Sequence, residues 1–311
     1  MAVLGGGISG LAAAHRLLER GKELDRTPAI AVFEARSRAG GIVSTVESQG
    51  FLIEEGPDAF ITDKPWAYAL AERLGLGEHI IATRPEFRRS YIVRAGRLVP
   101  TPDGLQLLAP SRLGPMFRSP LLSPLGKLRL SLEPWLSPRR AGGDESLGSF
   151  VTRRLGREML ERVAEPMVAG IYGADPMRLS LAATFPRFLA MERDSGSVIR
   201  GLRAAAAAAA TGAGGAGGAP ASGPRYGLFA SFEGGMGELV TALLAHLPAG
   251  TLRLGTAVEA LAPQPGVWSL RPAGGQAQIF DSVILALPGP AAAGLVADFA
   301  PELARGLRSI E

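Results

Sequence analysis

Six residues near the N-terminus combine small size with a spacing that suits the binding of a phosphate. They are Gly5, Gly6, Gly7, Ile8, Ser9 and Gly10. A glycine-rich turn between a strand and a helix lets backbone N–H groups approach a pyrophosphate, which the positive N-terminus of the helix stabilises. In this interpretation Gly5 permits the tight turn, Gly7 the approach of the ligand, and Gly10 the close packing of helix on strand.

The residues around this turn predict the elements that it needs. Val3 and Leu4 supply a short strand, and an apolar stripe at helical spacing follows, formed by Leu11, Ala14, Leu17 and Leu18. Residues 30–33 predict a second buried strand, and Glu34 follows it, where a carboxylate can accept hydrogen bonds from ribose hydroxyls. The sequence therefore predicts a βαβ unit that binds a dinucleotide, although its first strand is shorter than the usual length of about five residues.

A second motif indicates which dinucleotide is bound. Arg38 can neutralise phosphates, and the glycines that follow it let the backbone fold over the cofactor. Residues 34–41 read Glu-Ala-Arg-Ser-Arg-Ala-Gly-Gly, which resembles the Glu-Ala-x-x-Arg-x-Gly-Gly motif of the FAD-dependent amine-oxidase-like superfamily. The resemblance implies FAD rather than NAD, and it implies as cofactor-binding residues Glu34, Ala35, Arg38, Gly40 and Gly41.

A later turn also suits a flat cofactor. Residues 50–54 predict a strand, and the turn that follows it contains Gly56, Pro57, Asp58 and Ala59. Such a turn can bring backbone against a flat ring, although it is also a common β-turn. We assign these four residues to the FAD site, together with Val258.

Composition excludes several other kinds of chemistry. The 311 residues contain no cysteine, which excludes disulfides, thiolate catalysis and zinc–thiolate sites. The histidines lie far apart without metal-ligand spacing, so we predict no metal site; they are His15, His79 and His246. The net charge is only +4 and no basic run carries interleaved aromatic residues, so we expect no nucleic-acid partner.

Length and hydropathy predict a cytoplasmic protein with about two domains. Hydrophobic residues make up 47% of the chain and charged residues 20%, which excludes wholesale disorder. No signal peptide precedes the glycine turn, and no apolar stretch of the sequence is long enough to span a membrane. These features favour the cytoplasm.

Strand and helix patterns divide the chain into three parts. Residues 1–95 alternate strands and helices, residues 96–223 are rich in proline and mostly helical with a flexible loop at 211–223, and residues 224–311 return to strands around a helix at 237–246. The predicted fold class is α/β: a Rossmann-like FAD-binding domain, incomplete in its second part, that is interrupted by a mostly helical substrate domain.

Three stretches in the second half of the chain narrow the family. Residues 165–176 read Glu-Pro-Met-Val-Ala-Gly-Ile-Tyr-Gly-Ala-Asp-Pro, residues 183–186 read Ala-Thr-Phe-Pro, and residues 232–239 read Phe-Glu-Gly-Gly-Met-Gly-Glu-Leu. Together they resemble the protoporphyrinogen and coproporphyrinogen oxidase family of heme biosynthesis. The resemblance covers essentially the whole chain, and its Glu-Pro-x-x-x-Gly-Ile-Tyr segment is the most specific part.

This resemblance implies FAD-dependent oxidation of a porphyrinogen, with dioxygen as the electron acceptor and hydrogen peroxide as its product. The family carries out three two-electron steps at the flavin, so no side chain is assigned as catalytic. A turn formed by Gly170, Ile171 and Tyr172 would let the macrocycle lie close to backbone, and Phe185 would add an aromatic wall. Ordinary core packing accounts equally well for both aromatic residues.

The cations near the expected substrate site bear on the choice of porphyrinogen. A cluster of arginines precedes the helical region, and it contains Arg88, Arg89, Arg94 and Arg97. We assign Arg89 to a substrate propionate, although some family members carry an arginine where this chain has Ser90. Residues 166–186 contain Arg178 as their one cation, which favours protoporphyrinogen over coproporphyrinogen, whose propionates are more numerous. Coproporphyrinogen oxidation, another flavoenzyme of the superfamily and an inactive fragment are the alternatives.

Residues 105–136 are rich in leucine and arginine and contain Trp135. Two arrangements fit them: peripheral contact with the inner face of the cell membrane, or burial against the substrate pocket, which we slightly favour. A homodimer is compatible with the sequence. Nothing after residues 286–288 resembles the C-terminal Gly-Asp segment that closes the FAD site in this superfamily, so we expect an incomplete gene product.

Overall fold

The computed structural model describes residues 1–62, 64–84, 90–106, 108–139, 142–210 and 229–310. Arg89 and the predicted loop at 211–223 lie outside these residues. The chain forms two compact units, one made of Met1–Arg84 with Ala219–Glu311 and the other of Pro85–Gly218. We call them the glycine-turn unit and the helical unit. The domain boundaries near residues 95 and 223 stay predictions.

The described strands are β1 (Ala2–Leu4), β2 (Ala31–Phe33), β3 (Thr45–Ser48), β4 (Phe51–Glu54), β5 (Phe60–Ile61), β6 (Ile80–Ala82), β7 (Tyr91–Arg94), β8 (Arg97–Pro100), β9 (Leu105–Gln106), β10 (Ala109–Pro110), β11 (Phe229–Phe232), β12 (Leu252–Arg253), β13 (Val258–Gln264), β14 (Val267–Pro272), β15 (Gln278–Phe280) and β16 (Val283–Leu285).

The described α-helices are α1 (Ile8–Glu23), α2 (Pro65–Arg73), α3 (Leu113–Arg118), α4 (Pro124–Ser131), α5 (Leu147–Leu155), α6 (Arg157–Met159), α7 (Glu165–Tyr172), α8 (Leu181–Thr184), α9 (Pro186–Ser195), α10 (Val198–Ala210), α11 (Gly237–Ala245), α12 (Gly289–Val296) and α13 (Pro301–Arg308). Short 3₁₀ turns lie at Gly77–His79 and Glu133–Trp135, and a π-helical turn lies at Leu160–Ala164.

A parallel sheet in the order β12-β2-β1-β16 is the centre of the glycine-turn unit. β1 pairs with β2 on one side, Ala2 opposite Ala31, and with β16 on the other, Ala2 opposite Val283. Its three residues are almost completely buried. The predicted first strand is therefore present, and three residues suffice because both of its edges are hydrogen-bonded.

Antiparallel strands complete the glycine-turn unit. β3 and β4 form a hairpin, β11 lies between β5 and β6, and β14 lies between β13 and β15. The fold is thus mixed α/β. The strands predicted at residues 30–33 and 50–54 are present, and each starts one residue later than predicted.

A continuous helical stretch runs through the helical unit from α6 to the end of α7, interrupted by the π-helical turn. Pro166 is the second residue of α7. It cannot donate a backbone hydrogen bond, and its ring conflicts with the carbonyl four residues earlier. The wider π turn directly before it accommodates that conflict. α7 ends at Gly173, whose φ of +58° is left-handed.

The end of α7 corrects one expectation. The sequence pattern predicts a turn at Gly170, Ile171 and Tyr172, but they are the last three residues of this helix. The turn begins one residue later, at Gly173. Helical hydrogen bonding extends across Gly170 because the glycine that ends the helix is Gly173, which adopts the left-handed conformation.

The leucine-rich stretch is only partly buried, which corrects the preference for burial. One set of side chains, Leu121, Leu122 and Leu130, belongs to the core of the helical unit. A second set is exposed, and it comprises Leu125, Leu128, Leu132 and Trp135. In the part of the chain that the structure describes, no helix combines the length and apolar character that crossing a membrane requires.

An ion pair buried from all solvent fastens α5 to the start of α10. Arg154 and Glu133 are both 0% exposed. Arg154 Nε donates to Glu133 Oε1 over 2.9 Å, and its guanidinium also donates to the Leu136 carbonyl over 3.0 Å. Glu133 in turn accepts the Val198 N–H over 2.9 Å, so its carboxylate stabilises the N-terminus of α10.

A neighbouring network makes this unit sensitive to acid. Burial raises the pKa of Glu192, but hydrogen bonds from Arg153 and from the Arg139 N–H outweigh burial and hold the pKa below its ordinary value. A carboxylate with a lowered folded pKa contributes its full stability above the ordinary glutamate pKa. That contribution is lost as the pH falls through the lowered value.

We predict that Arg154→Met lowers the free energy of unfolding by about 3–5 kcal/mol, because Glu133 would remain buried without its charge partner. Arg157→Met is the matched control, since Arg157 also pairs with a glutamate, Glu161, but is 82% exposed. It should leave stability essentially unchanged. Urea unfolding followed by circular dichroism measures both variants, and equal losses would contradict the role of burial.

Candidate cofactor-binding site

The turn between β1 and α1 has no room for side chains at two of its glycines. Gly5 has a φ of +109°, and a Cβ there would lie 2.3 Å from the carbonyl oxygen of Ala286. A Cβ on Gly10 would lie 1.9 Å from the carbonyl oxygen of Gly5. Only glycine fits at both positions, so α1 begins in direct contact with the end of β1.

The N-terminus of α1 is open toward an anion. Gly7 precedes the helix in an extended conformation, no described side chain caps it, and the first turn contains no acidic residue. The first N–H groups of a helix, here those of Ile8, Ser9 and Gly10, have no carbonyl partner within the helix. These donors and the helix dipole together favour a negatively charged group at this end.

The Arg-x-Gly-Gly turn lies directly on this glycine turn. Gly40 N–H donates to the Gly6 carbonyl over 2.8 Å, and Gly7 and Gly40 are bridge partners. A Cβ on Gly41 would lie 3.0 Å from Gly7 Cα, whereas the nearest atom to a Cβ on Gly7 is Gly41 Cα at 3.7 Å. The two turns therefore touch through backbone, and the space beside Gly7 is open.

Glu34 has a second task that the sequence did not reveal. Its Oε2 accepts the Gly6 N–H over 2.7 Å, and its Oε1 accepts the Arg36 N–H over 2.9 Å. The carboxylate thus holds the glycine turn in place. Each carboxylate oxygen keeps a lone pair for another donor, so the predicted contact with a ribose stays a prediction. Ala35 is exposed beside it.

Arg38 is exposed, and no carboxylate pairs with it among the described residues. Its Nη1 lies 3.4 Å from the Ala39 carbonyl and 3.5 Å from the Val43 carbonyl. The side chain borders a cleft of about 730 Å³ beside α11. A guanidinium held only by weak contacts to carbonyl groups is available for a phosphate.

Residues 56–59 lie against the chain that follows the Arg-x-Gly-Gly turn. A Cβ on Gly56 would lie 1.9 Å from the Ile42 carbonyl oxygen. Beyond Pro57, Asp58 and Ala59 border a cavity of about 450 Å³. Ser231 Oγ donates to the Asp58 carbonyl over 2.8 Å and fixes this edge of the cavity.

Val258 is the first residue of β13. The residues just before it form hydrogen bonds with the segment that follows β2, which contains Glu34. Thr256 N–H donates to the Glu34 carbonyl, and Gly255 N–H donates to the Arg36 carbonyl, each over 2.8 Å. The side chain of Val258 is half-buried against the core around β1. The structure therefore brings its backbone near the predicted ribose residue.

The predicted substrate residues belong to the helical unit. Ile171 and Tyr172 are partly exposed at the end of α7, and a Cβ on Gly170 would have no neighbouring atom within 4 Å. Phe185 is only 9% exposed and belongs to the core, with its ring 5.6 Å from that of Tyr172 in an edge-to-face contact. The packing alternative thus holds for Phe185, which supports Tyr172 from behind.

Two polar residues of the β3–β4 hairpin were not predicted from the sequence. Thr45 and Glu54 hydrogen-bond the N-terminus of α11, which lies far away in the sequence. No sequence motif contains them. The one signal in the sequence is their position, since Thr45 follows the Arg-x-Gly-Gly turn and Glu54 precedes the turn at residues 56–59. Among the described residues, no group of histidine, aspartate and glutamate side chains is arranged to hold a metal ion.

Comparison with known proteins identifies the family. The family model for flavin containing amine oxidoreductases matches residues 8–310. The chain belongs to this family. The cofactor predicted from residues 34–41, FAD, is thereby confirmed.

Relatives of known function cover almost the whole chain. It is 37% identical to a coproporphyrinogen III oxidase of Propionibacterium freudenreichii, over 100% of this chain and 61% of that protein. It is 33% identical to the coproporphyrinogen III oxidase of Bacillus subtilis, over 95% of this chain and 61% of that protein. It is 30% identical to the chloroplast protoporphyrinogen oxidase 1 of Arabidopsis thaliana, over 99% and 56%. The chain therefore spans about six tenths of the length of these relatives.

One solved structure supports the same family. A protein of Exiguobacterium sp. 255-15, provisionally named a protoporphyrinogen oxidase, superposes with a TM-score of 0.80 at 30% identity, over 97% of this chain and 62% of that one. Cyclohexylamine oxidase from Brevibacterium oxydans superposes with a TM-score of 0.62 at 20% identity, over 99% and 62%, which shows the shared fold alone. The resemblance predicted from residues 165–176 is thus confirmed at the level of the family.

We predict that Gly7→Ala abolishes FAD binding without unfolding the protein. The nearest neighbour of the new methyl group is an ordinary 3.7 Å away, yet the group fills the space predicted for the pyrophosphate. Gly10→Ala should instead destabilise the fold, because its methyl group meets a backbone oxygen. Flavin fluorescence titration and thermal melting separate the two effects, with Gly294→Ala on open surface as the control. Normal FAD binding by Gly7→Ala would contradict the site.

Glu34→Ala should weaken FAD binding by about 1.5–3 kcal/mol, as expected for the loss of charge-assisted hydrogen bonds. The variant removes both the predicted ribose acceptor and the contact to the Gly6 N–H. The affinity is measured by titrating apoprotein with FAD. An unchanged dissociation constant would contradict the ribose role and would show that the Gly6 contact does not contribute to FAD binding.

Proposed function

We propose that this chain belongs to an FAD-dependent oxidase that converts a porphyrinogen to a porphyrin in heme biosynthesis. The observation that carries the proposal is similarity to porphyrinogen oxidases along both units, at 30–37% identity over 95–100% of the chain. Similarity confined to the glycine-turn unit would indicate only a shared cofactor. Similarity that includes the helical unit supports a shared substrate class.

Different residues of the glycine-turn unit are proposed to bind different parts of FAD. We propose that the open N-terminus of α1 and the guanidinium of Arg38 bind the diphosphate, and that Glu34 binds the ribose. The backbone of residues 56–59 would lie against the isoalloxazine, next to the cavity of about 450 Å³. When bound, FAD supplies the acceptor for hydride equivalents from the substrate.

The helical unit supplies an apolar surface for the macrocycle. Ile171 and Tyr172 project from the end of α7, and Phe185 holds the Tyr172 ring from its buried side. The backbone at Gly170 is accessible, so a flat ligand can approach it closely. We propose that these residues contact a face of the porphyrinogen and exclude water from it. Arg89 stays the proposed propionate partner.

Dioxygen is the proposed final acceptor, with hydrogen peroxide as its product. Formation of a porphyrin removes hydrogen from the macrocycle in three two-electron steps, so the balance requires one dioxygen molecule for each step. A peripheral membrane contact stays a proposal, and the exposed Leu125, Leu128 and Trp135 support it.

Two porphyrinogens are candidates, each with its own support. The single cation of residues 166–186 supports protoporphyrinogen, because a site for more propionates needs more cations. Coproporphyrinogen is the second candidate, because three bacterial relatives at 31–37% identity bear the name coproporphyrinogen III oxidase.

We predict that the FAD-loaded protein oxidises protoporphyrinogen faster than coproporphyrinogen. The measurement follows porphyrin fluorescence and peroxide release with each substrate in air. Gly7→Ala protein controls for autoxidation, since it should lack FAD. Faster oxidation of coproporphyrinogen would establish the second candidate, and no enzymatic oxidation of either substrate would overturn the proposed function for this chain.

A further inference from the structure

The turn that precedes α11 is bound to the β3–β4 hairpin by two side chains. Glu54 Oε1 accepts the Met236 N–H over 2.7 Å. Thr45 Oγ1 accepts the Gly237 N–H over 2.7 Å and donates its own proton to Glu54 Oε2 over 2.6 Å. Every donor in this arrangement has an acceptor, because the hydroxyl both accepts and donates a hydrogen bond whereas the carboxylate only accepts.

The contact is close-packed as well as hydrogen-bonded. Gly235 has a φ of +86°, and a Cβ there would lie 2.6 Å from Glu54 Oε1 and 2.5 Å from Thr45 Cγ2. The turn therefore lies directly on the two side chains. A shift of the hairpin would break both hydrogen bonds to the start of α11.

The hairpin connects the two predicted cofactor segments. Thr45 follows the Arg-x-Gly-Gly turn after three residues, and Glu54 precedes Gly56 by two. Gly56 lies against the Ile42 carbonyl, so the start of residues 56–59 packs directly on the segment that leads into β3. α11 also packs against α1, so the hairpin is tied to the helix that begins the site.

The same hairpin contains a matched pair that lacks this role. Ser44 Oγ donates to Glu55 Oε2 over 2.6 Å, in an exposed position one residue outside the Thr45–Glu54 pair. Neighbouring residues of a strand point to opposite faces, and among the described residues no hydrogen bond joins this pair to α11. Substitutions in this pair therefore measure how much a surface hydroxyl–carboxylate hydrogen bond by itself affects FAD binding.

We propose that Thr45 and Glu54 are positioning residues for the flavin, which set the backbone of residues 56–59 against the isoalloxazine without touching it. This inference rests on the proposed placement of FAD. Thr45→Val removes both hydrogen bonds of the hydroxyl at constant shape. Glu54→Gln places a donor where the Thr45 proton points, since one carboxylate oxygen becomes an NH₂ group.

The experiment titrates apoprotein variants with FAD and records the visible absorption spectrum of the flavin at saturation, together with the melting temperature of each apoprotein. Thr45→Val and Glu54→Gln should raise the dissociation constant at least tenfold and alter the flavin band. Thr45→Ser should restore wild-type values, because it retains the hydroxyl. Ser44→Ala and Glu55→Gln should stay within twofold of wild type.

Each other outcome has a distinct meaning. A wild-type spectrum and dissociation constant in Thr45→Val would overturn the proposal, and so would equal effects in Glu55→Gln. A lower melting temperature with an unchanged spectrum at saturating FAD would show a merely structural role and also overturn it. Failure of the wild-type protein to bind FAD would refute the cofactor placement itself, and porphyrinogen turnover plays no part in the readout.

Discussion

Direct backbone contact between two glycine turns is the constraint on which the glycine-turn unit depends. Gly40 donates to the carbonyl of Gly6, and side chains at Gly5 or Gly10 would meet backbone oxygens. Since no side chain separates the turns, small shifts of either one change the space left for a ligand. The surrounding contacts, from Glu34 to the β3–β4 hairpin, all stabilise this arrangement against such shifts.

Local pattern was sufficient to predict the parts of the fold that local physics determines. The spacing of Gly5, Gly7 and Gly10 predicted a strand, a tight turn and a helix, and the structure has all three in that order. The motif at residues 34–41 predicted the cofactor correctly, because the approach of a dinucleotide restricts residue type at several adjacent positions.

Tertiary partners account for what the sequence did not reveal. Glu34 bonds the Gly6 N–H, and Thr45 and Glu54 bond a turn almost 200 residues away, contacts that no short pattern encodes. Tyr172 ends a helix instead of forming a turn, since the π turn lets the helix continue past Pro166. Leu125 is exposed although the leucine-rich segment around it has the composition of a core segment. Its helix, α4, buries Leu130 instead.

The pairing of β1 between β2 and β16 also determines when the sheet can form. β1 and β16 lie at opposite ends of the described chain, so their pairing closes a very long loop, and such non-local contacts form slowly. During synthesis the N-terminal strand must wait for residues 283–286 before its second edge is covered. The helical unit is formed by one continuous segment, Pro85–Gly218, so its contacts close shorter loops. Until residues 283–286 have been synthesised, the uncovered edge of β1 is open to mispairing with another strand.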